Sequence, residues 1–175
     1  MNLQSDDFEL FGLPRQFAQD HAAIDARWKD LQREAHPDRF SAQGAAAQRV
    51  AMQWSVRINE AYQRLKDPLR RAAYLCELQG VPVSAENNTA MPAEFLVQQM
   101  AWREALDEAQ DVEALDALGA EVGRSRQTLL QRCEQLIDRD GDPVAAVAQV
   151  RALMFIERFA QDIDNRYEKM ESRAG

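Results

Sequence analysis

Cysteine, glycine and proline are all scarce in this chain, and each shortage excludes something. The two cysteines, Cys76 and Cys133, stand alone, with no C-x-x-C pair and no second ligand nearby. A zinc or iron–sulfur site needs several ligands at close spacing, so neither can be assembled from this chain. Both fall in apolar helical patterns and read as core thiols. With 7 glycines and 6 prolines among 175 residues, little interrupts a composition dominated by Ala, Leu, Gln, Glu and Arg. Helix is therefore the default, and no stretch has strand character. No apolar run approaches the roughly 18–20 residues of a membrane span. The opening Met1-Asn2-Leu3-Gln4-Ser5-Asp6-Asp7 is acidic, unlike the basic and apolar pattern of a signal peptide. The expectation is a cytoplasmic protein without membrane contact.

Positive charge is missing from one half. Residues 1–75 carry 11 Lys and Arg against 10 Asp and Glu, whereas residues 76–175 carry 10 against 19. An acidic half argues against nucleic acid, whose phosphates require a basic surface, and suits a protein partner with a basic patch. The length suffices to bury a core without metal or disulfide staples, and a monomer is expected.

What is present is amphipathic helix. Asp6 to Phe11 makes a short helical turn ended by Gly12 and Pro14. From an N-cap at Asp20, the residues Ile24, Trp28, Leu31 and Ala35 recur at helical spacing as one apolar stripe. Lys29 and Arg33 lie opposite it, one turn apart, with Arg27 on its flank. A second stripe, Val50, Trp54, Ile58, Ala61 and Leu65, is ended by Asp67-Pro68. Between the two runs stands His36-Pro37-Asp38. Proline has no N–H to give a helix and pushes its predecessor out of the α region, so His36 ends the first helix and opens a turn. Two long helices joined by that turn are expected to lie antiparallel, with Trp28 and Trp54 among the facing residues. A shorter helix from Pro68 follows, turning Leu69, Ala72, Leu75 and Cys76 inward.

Gln79 to Pro92 carries one Gly, two Pro and two Asn and reads as a linker. It divides residues 1–78 from a C-terminal unit, 93–175, that reads as an antiparallel three-helix bundle. The first bundle helix starts near Pro92. The second follows Asp111, where Gly119 and Gly123 would permit close helix approach. The third opens at Asp142-Pro143 with a stripe of Leu153, Ile156, Ala160, Ile163, Tyr167 and Met170. The fold class is all-α.

One bundle helix has more apolar surface than packing requires. On a helical wheel Phe95, Trp102, Leu106 and Ala109 gather toward the core, while Leu96, Val97 and Met100 gather on another face that continues as Glu104 and Glu108. An apolar anchor trailing into carboxylates suits a basic protein partner. Phe155 lies off its own helix's stripe. It either packs on the neighbouring helix or stands exposed beside the Leu96 face.

The run Trp28-x-x-Leu31-x-x-x-x-His36-Pro37-Asp38-Arg39-Phe40, followed by Ile58-Asn59-Glu60-Ala61-Tyr62-x-x-Leu65-x-Asp67-Pro68-x-x-Arg71-Ala72-x-Tyr74, resembles a J-domain. With Phe8-x-Leu10-Phe11-Gly12-Leu13-Pro14 and the acidic C-terminal half, nearly the whole chain resembles the HscB family of J-domain co-chaperones. That resemblance implies two partners, the DnaK-type chaperone HscA and the iron–sulfur scaffold IscU, and no cofactor. It implies that His36, Pro37 and Asp38 stimulate ATP hydrolysis by the chaperone, which docks on Lys29, Arg33 and Arg39. It assigns scaffold contact to Leu96, Val97, Met100, Glu104, Glu108 and Phe155. Ala35 departs from the tyrosine usual before the histidine and removes aromatic packing behind the loop. Ala101 stands where an acid is frequent.

Two other readings stand beside it. As an enzyme, His36 and Asp38 would be a base pair in a hydrolase, yet no nucleophile motif, Gly-rich phosphate loop or metal-ligand cluster accompanies them. As a J-domain protein serving a general client, the chain would bind unfolded polypeptides broadly.

Overall fold

Helix breakers fall where this chain turns. The computed structural model describes residues 2–84 and 89–174. It contains α1 (Asp7–Phe11), α2 (His21–Ala35), α3 (Ala45–Lys66), α4 (Pro68–Leu78), α5 (Ala93–Glu108), α6 (Val112–Glu134) and α7 (Pro143–Ala174). A 3-10 segment, Pro37–Gln43, joins α2 to α3, and a π-helical turn, Gln135–Arg139, extends α6. No strand occurs among the described residues, so the fold is all-α. The chain forms two compact units, residues 1–75 and 76–175, divided within α4.

In the first unit α1 and α2 each begin on a side chain that satisfies orphan N–H groups. Asp6 accepts from the Glu9 amide at 2.8 Å and Asp20 from the Ala22 amide at 3.0 Å. Gly12 closes α1 at φ 65°, a left-handed geometry open to glycine. The antiparallel course of α2 and α3 shows in their cross-links. Tyr62 donates to Asp25 at 2.7 Å, Trp28 donates to Asn59 at 3.0 Å, and Ser55 donates to Gln32 at 3.1 Å. Trp28 also stacks on Tyr62, with ring centroids 4.6 Å apart. Phe8, Phe11, Ile24, Leu31, Ile58, Ala61 and Leu65 are buried between the helices, each large one contributing about 1.5–3 kcal/mol. Val50 was expected in this stripe but is 51% exposed, and Ala51 takes the inward position.

Asp7 is buried, held by two arginines of α3. Arg64 donates to it through Nε at 2.7 Å and Nη2 at 3.0 Å, while Arg57 Nη1 approaches at 2.8 Å. Its backbone N–H donates to the Tyr74 hydroxyl at 3.0 Å, and Tyr74 stacks on Phe8. Asp67 caps α4 by accepting from the Leu69 amide, and Arg71 is buried, donating to the carbonyls of Phe17 and Leu65.

The second unit begins at Cys76, before the expected linker. Residues 85–88 of that linker lie outside the described residues, but Val81 and Val83 pack against Cys76, Ala146 and Val147. Arg151 on α7 donates to the carbonyls of Val83 at 3.3 Å and Ala90 at 3.0 Å. Helices α5, α6 and α7 run up, down and up. Phe95 meets Phe155 and Trp102 meets Phe159, whereas Tyr167 donates to Asp116 back along α6. Asp111 and Asp142 cap α6 and α7. Two expectations change here. Phe159, not Ala160, fills the core from α7. A side chain at Gly119 or Gly123 would meet nothing within 4 Å, so neither glycine serves a close helix approach.

Candidate functional site

Each unit presents one surface that its packing does not explain. In the first it is the corner between α2 and α3. His36 leaves the helix with φ −61° and ψ 129°, as a residue before proline must. Its Nδ1 accepts the Asp38 backbone N–H at 3.2 Å, so in the neutral ring the proton sits on Nε2, on the far side. The Asp38 carboxylate lies 3.6 Å from Nδ1, too far for a hydrogen bond, and its side chain is 92% exposed. The result is a carboxylate presented to solvent with all its acceptor capacity available to an incoming donor.

The cations expected beside this loop are not equivalent. Lys29 and Arg33 are exposed on the outer face of α2, Arg33 within a loose 3.7 Å of Asp30. Arg39 reaches back instead, donating to the Arg33 carbonyl at 3.3 Å, where it satisfies an acceptor left unpaired at the end of α2. Arg27 donates to the Phe11 carbonyl at 3.1 Å and ties α1 to α2. Behind the loop lies an apolar hollow of about 450 Å³, lined among others by Leu31, Ala35, Phe40, Ala47, Ala51 and Trp54. The loss of an aromatic ring at position 35 foreshadows this hollow; its extent depends on Ala47 and Ala51, which the stripe pattern does not reveal.

In the second unit α5 divides its residues as its wheel suggests. Phe95, Trp102 and Ala109 are buried. On the outer face Leu96 is 51%, Val97 70% and Met100 75% exposed, with Glu104 and Glu108 exposed beyond them. Phe155 is not an exposed anchor. It is 8% exposed, edge-on to Phe95 and stacked on Phe159, with the Arg103 guanidinium 5.4 Å above its ring. Its remaining edge forms part of an open cleft of about 570 Å³ with Gln99, Arg103, Arg158, Gln161 and Asp162. The sequence offered no sign of that cleft, because its polar lining looks like ordinary helix surface.

Burial pushes the Cys76 thiol up to about 11 and the Cys133 thiol up to about 12, so both are protonated core groups. Among the described residues, no group of three or more His, Cys, Asp or Glu could hold a metal. No helix of the described residues is long and apolar enough to cross a membrane.

Residues 91–164 match the model of the HSCB C-terminal oligomerisation domain. The chain is 50% identical to the co-chaperone protein HscB homolog of Burkholderia multivorans, across 98% of this chain and 99% of that one. The homolog from Burkholderia cenocepacia is 49% identical over the same shares. Among solved structures, the chaperone HscB of Vibrio cholerae superposes with a TM-score of 0.80 at 35% identity, covering 95% of this chain and 99% of that one. Human co-chaperone protein HscB gives 0.87 at 24% identity, a likeness of fold, over 95% and 84%.

Proposed function

Since the chain belongs to the HscB family of J-domain co-chaperones of iron–sulfur cluster assembly, we propose that it binds the scaffold IscU through α5 and delivers it to the DnaK-type chaperone HscA, whose ATPase it stimulates through the His36-Pro37-Asp38 loop. The observation that carries this reading is the separation of two unexplained surfaces onto two units, an exposed carboxylate on one and an exposed apolar helix face on the other.

Pro37 holds the turn so that Asp38 projects, and Lys29 and Arg33 supply the adjoining cationic surface. Asp38 can accept from a chaperone arginine or backbone amides. Docking raises hydrolysis because the loop binds the hydrolysis-competent state of HscA more tightly than the other, the only way a ligand shifts such an equilibrium. Leu96, Val97 and Met100 anchor IscU, and Glu104 and Glu108 steer its basic groups. Phe155 contributes from beneath, by holding α5 in place. Tethering IscU beside the chaperone raises its effective concentration there, which couples scaffold delivery to hydrolysis.

The test is a paired assay with purified HscA and IscU. His36→Gln should reduce ATPase stimulation at least about tenfold and leave IscU binding intact. Leu96→Ala/Met100→Ala should do the reverse, weakening IscU binding at least about tenfold, since each lost anchor costs about 1 kcal/mol or more. Full stimulation by His36→Gln would defeat the chaperone assignment. Unchanged IscU affinity in the double variant, or equal affinity for any unfolded chain, would defeat the scaffold assignment.

A further inference from the structure

The hollow behind the loop has walls without a filling. Its floor is the hairpin core, where Leu10, Leu31 and Ile58 are almost fully buried. Three alanines, Ala35 on α2 with Ala47 and Ala51 on α3, line it where larger side chains would close the space. About 450 Å³ of half-open apolar space, bordered also by the exposed Glu34 and Val50, therefore lies against the end of the helix pair. The 3-10 segment, which gives only Phe40 and Gln43 to the rim of the hollow, has no buried residue. Its tethers are the His36–Asp38 contact, the Arg39 bonds to the carbonyls of His36 and Arg33, and the ring of Phe40, which is only half-buried at the edge of the hollow. Gly44, with φ 97° and no neighbour within 4 Å of where a Cβ would be, follows directly and can absorb a change of direction.

We propose that the loop has a second resting position, in which Phe40 sits deeper in the hollow and the Pro37–Gln43 segment closes onto the hairpin, and that the chaperone binds this closed position preferentially. This deepens the function proposed above and rests on its reading that the loop docks an ATP-driven chaperone. A phenyl ring occupies far less than the hollow holds, so the core offers room for the movement. Burying Phe40 gains apolar contact that offsets the ordering of the segment. The open and closed positions then differ little in free energy, the condition under which a partner can select between them.

Filling the hollow prevents closure. Ala35→Leu is the first variant, Ala47→Leu the second, and Ala46→Leu, on the exposed start of α3 and outside the hollow, the control. Three readouts are taken on the full chain: melting temperature, hydrogen exchange of the amides from Asp38 to Gly44, and stimulation of the chaperone ATPase. A filling variant should raise the melting temperature by a few degrees. It should also change loop exchange at least about threefold and lower stimulation severalfold, with Ala46→Leu like wild type throughout. If a filling variant raises the melting temperature yet leaves exchange and stimulation unchanged, the loop does not use the space and the proposal is overturned. If both filling variants lower the melting temperature, the hollow is not usable space, and the proposal falls with it. Failure of the wild type to stimulate any DnaK-type chaperone would overturn the underlying function instead, and the exchange result would still report on the hollow.

Discussion

The two units solve the same problem, holding helices together beneath one exposed candidate surface, by different means. The first relies on polar ties. A buried carboxylate, Asp7, is gripped by Arg57 and Arg64, and the hairpin is laced by Asn59, Gln32, Ser55 and Asp25. The second relies on rings: Phe95, Trp102, Phe155 and Phe159 interlock between α5 and α7. The difference follows what each surface presents. The first offers a hydrophilic loop held by its own short bonds at His36 and Arg39. The second offers an apolar stripe along a helix, which needs only a rigid backing, and stacked aromatics provide that at low cost in side-chain freedom.

The sharpest way to break this contrast is to remove one fastener from each unit. Trp102→Ala should cost about 3–5 kcal/mol through the loss of a fully buried ring. Asp7→Asn should cost about 2–4 kcal/mol, because it leaves two guanidinium groups facing a neutral partner, a loss discounted for the partial exposure of Arg64. Residue-resolved hydrogen exchange should place the first loss in residues 76–175 and the second in 1–75. Destabilisation spread equally over both units by either variant would contradict the division of labour.

A moderate effect is expected at high pH and should begin in the second unit. Tyr62 and Tyr74 of the first, whose hydroxyls are also raised by the Asp25 bond and by burial respectively, come into range afterwards. The thiols of Cys76 and Cys133 ionise near 9 when unfolded but are raised to about 11 and about 12 by burial. For an acid whose folded value is raised, the unfolded chain gives up its proton first. Stability is therefore intact below pH 9 and falls as pH rises from 9 toward 11–12, by up to about 1.4 kcal/mol per pH unit for each thiol. Denaturant titrations at pH 8, 9.5 and 10.5 should show the slope becoming shallower in Cys133→Ala.

The smallest effect tests the charge on α5. Glu104→Gln/Glu108→Gln should leave stability within about 0.5 kcal/mol, since both side chains are exposed. It should weaken IscU binding about two- to fivefold at low salt and scarcely at all at high salt, where exposed charges are screened. Titration at two salt concentrations reads the difference. A loss that persists at high salt would make these acids buried contacts rather than steering groups.

Much of this was legible in the chain. Helix ends were marked by side chains with local jobs, Asp20, Asp111 and Asp142 among them, and local chemistry is written in adjacent residues. The outer face of α5 was readable because Leu96, Val97 and Met100 sit at angles that Phe95 and Trp102 exclude from the core. Phe155 and Phe159 were harder. Both lie on one helix whose long stripe is nearly continuous, so the inward turn of both rings depends on where α5 crosses α7, a tertiary fact absent from periodicity. The Asp7 cluster was illegible for a related reason. Its partners stand 50 and 57 positions away, and nothing near Asp7 distinguishes it from Asp6, which caps a helix from the partly exposed side. The hollow was foreshadowed at Ala35 alone, since an absence of volume is shared among residues from several elements.

The run Asn59, Tyr62, Asp67, Arg71 and Tyr74 makes the chain recognisable, yet the contacts described for these residues cap a helix or tie segments of the first unit together. The part of the pattern that identifies the domain is thus largely distinct from the part that would act on a partner. A descendant of this chain could exchange His36 and Asp38 for other residues, keep its shape and still be assigned to the same group by resemblance. Recognition of such a chain therefore reports an inherited scaffold, and action on a chaperone has to be measured separately.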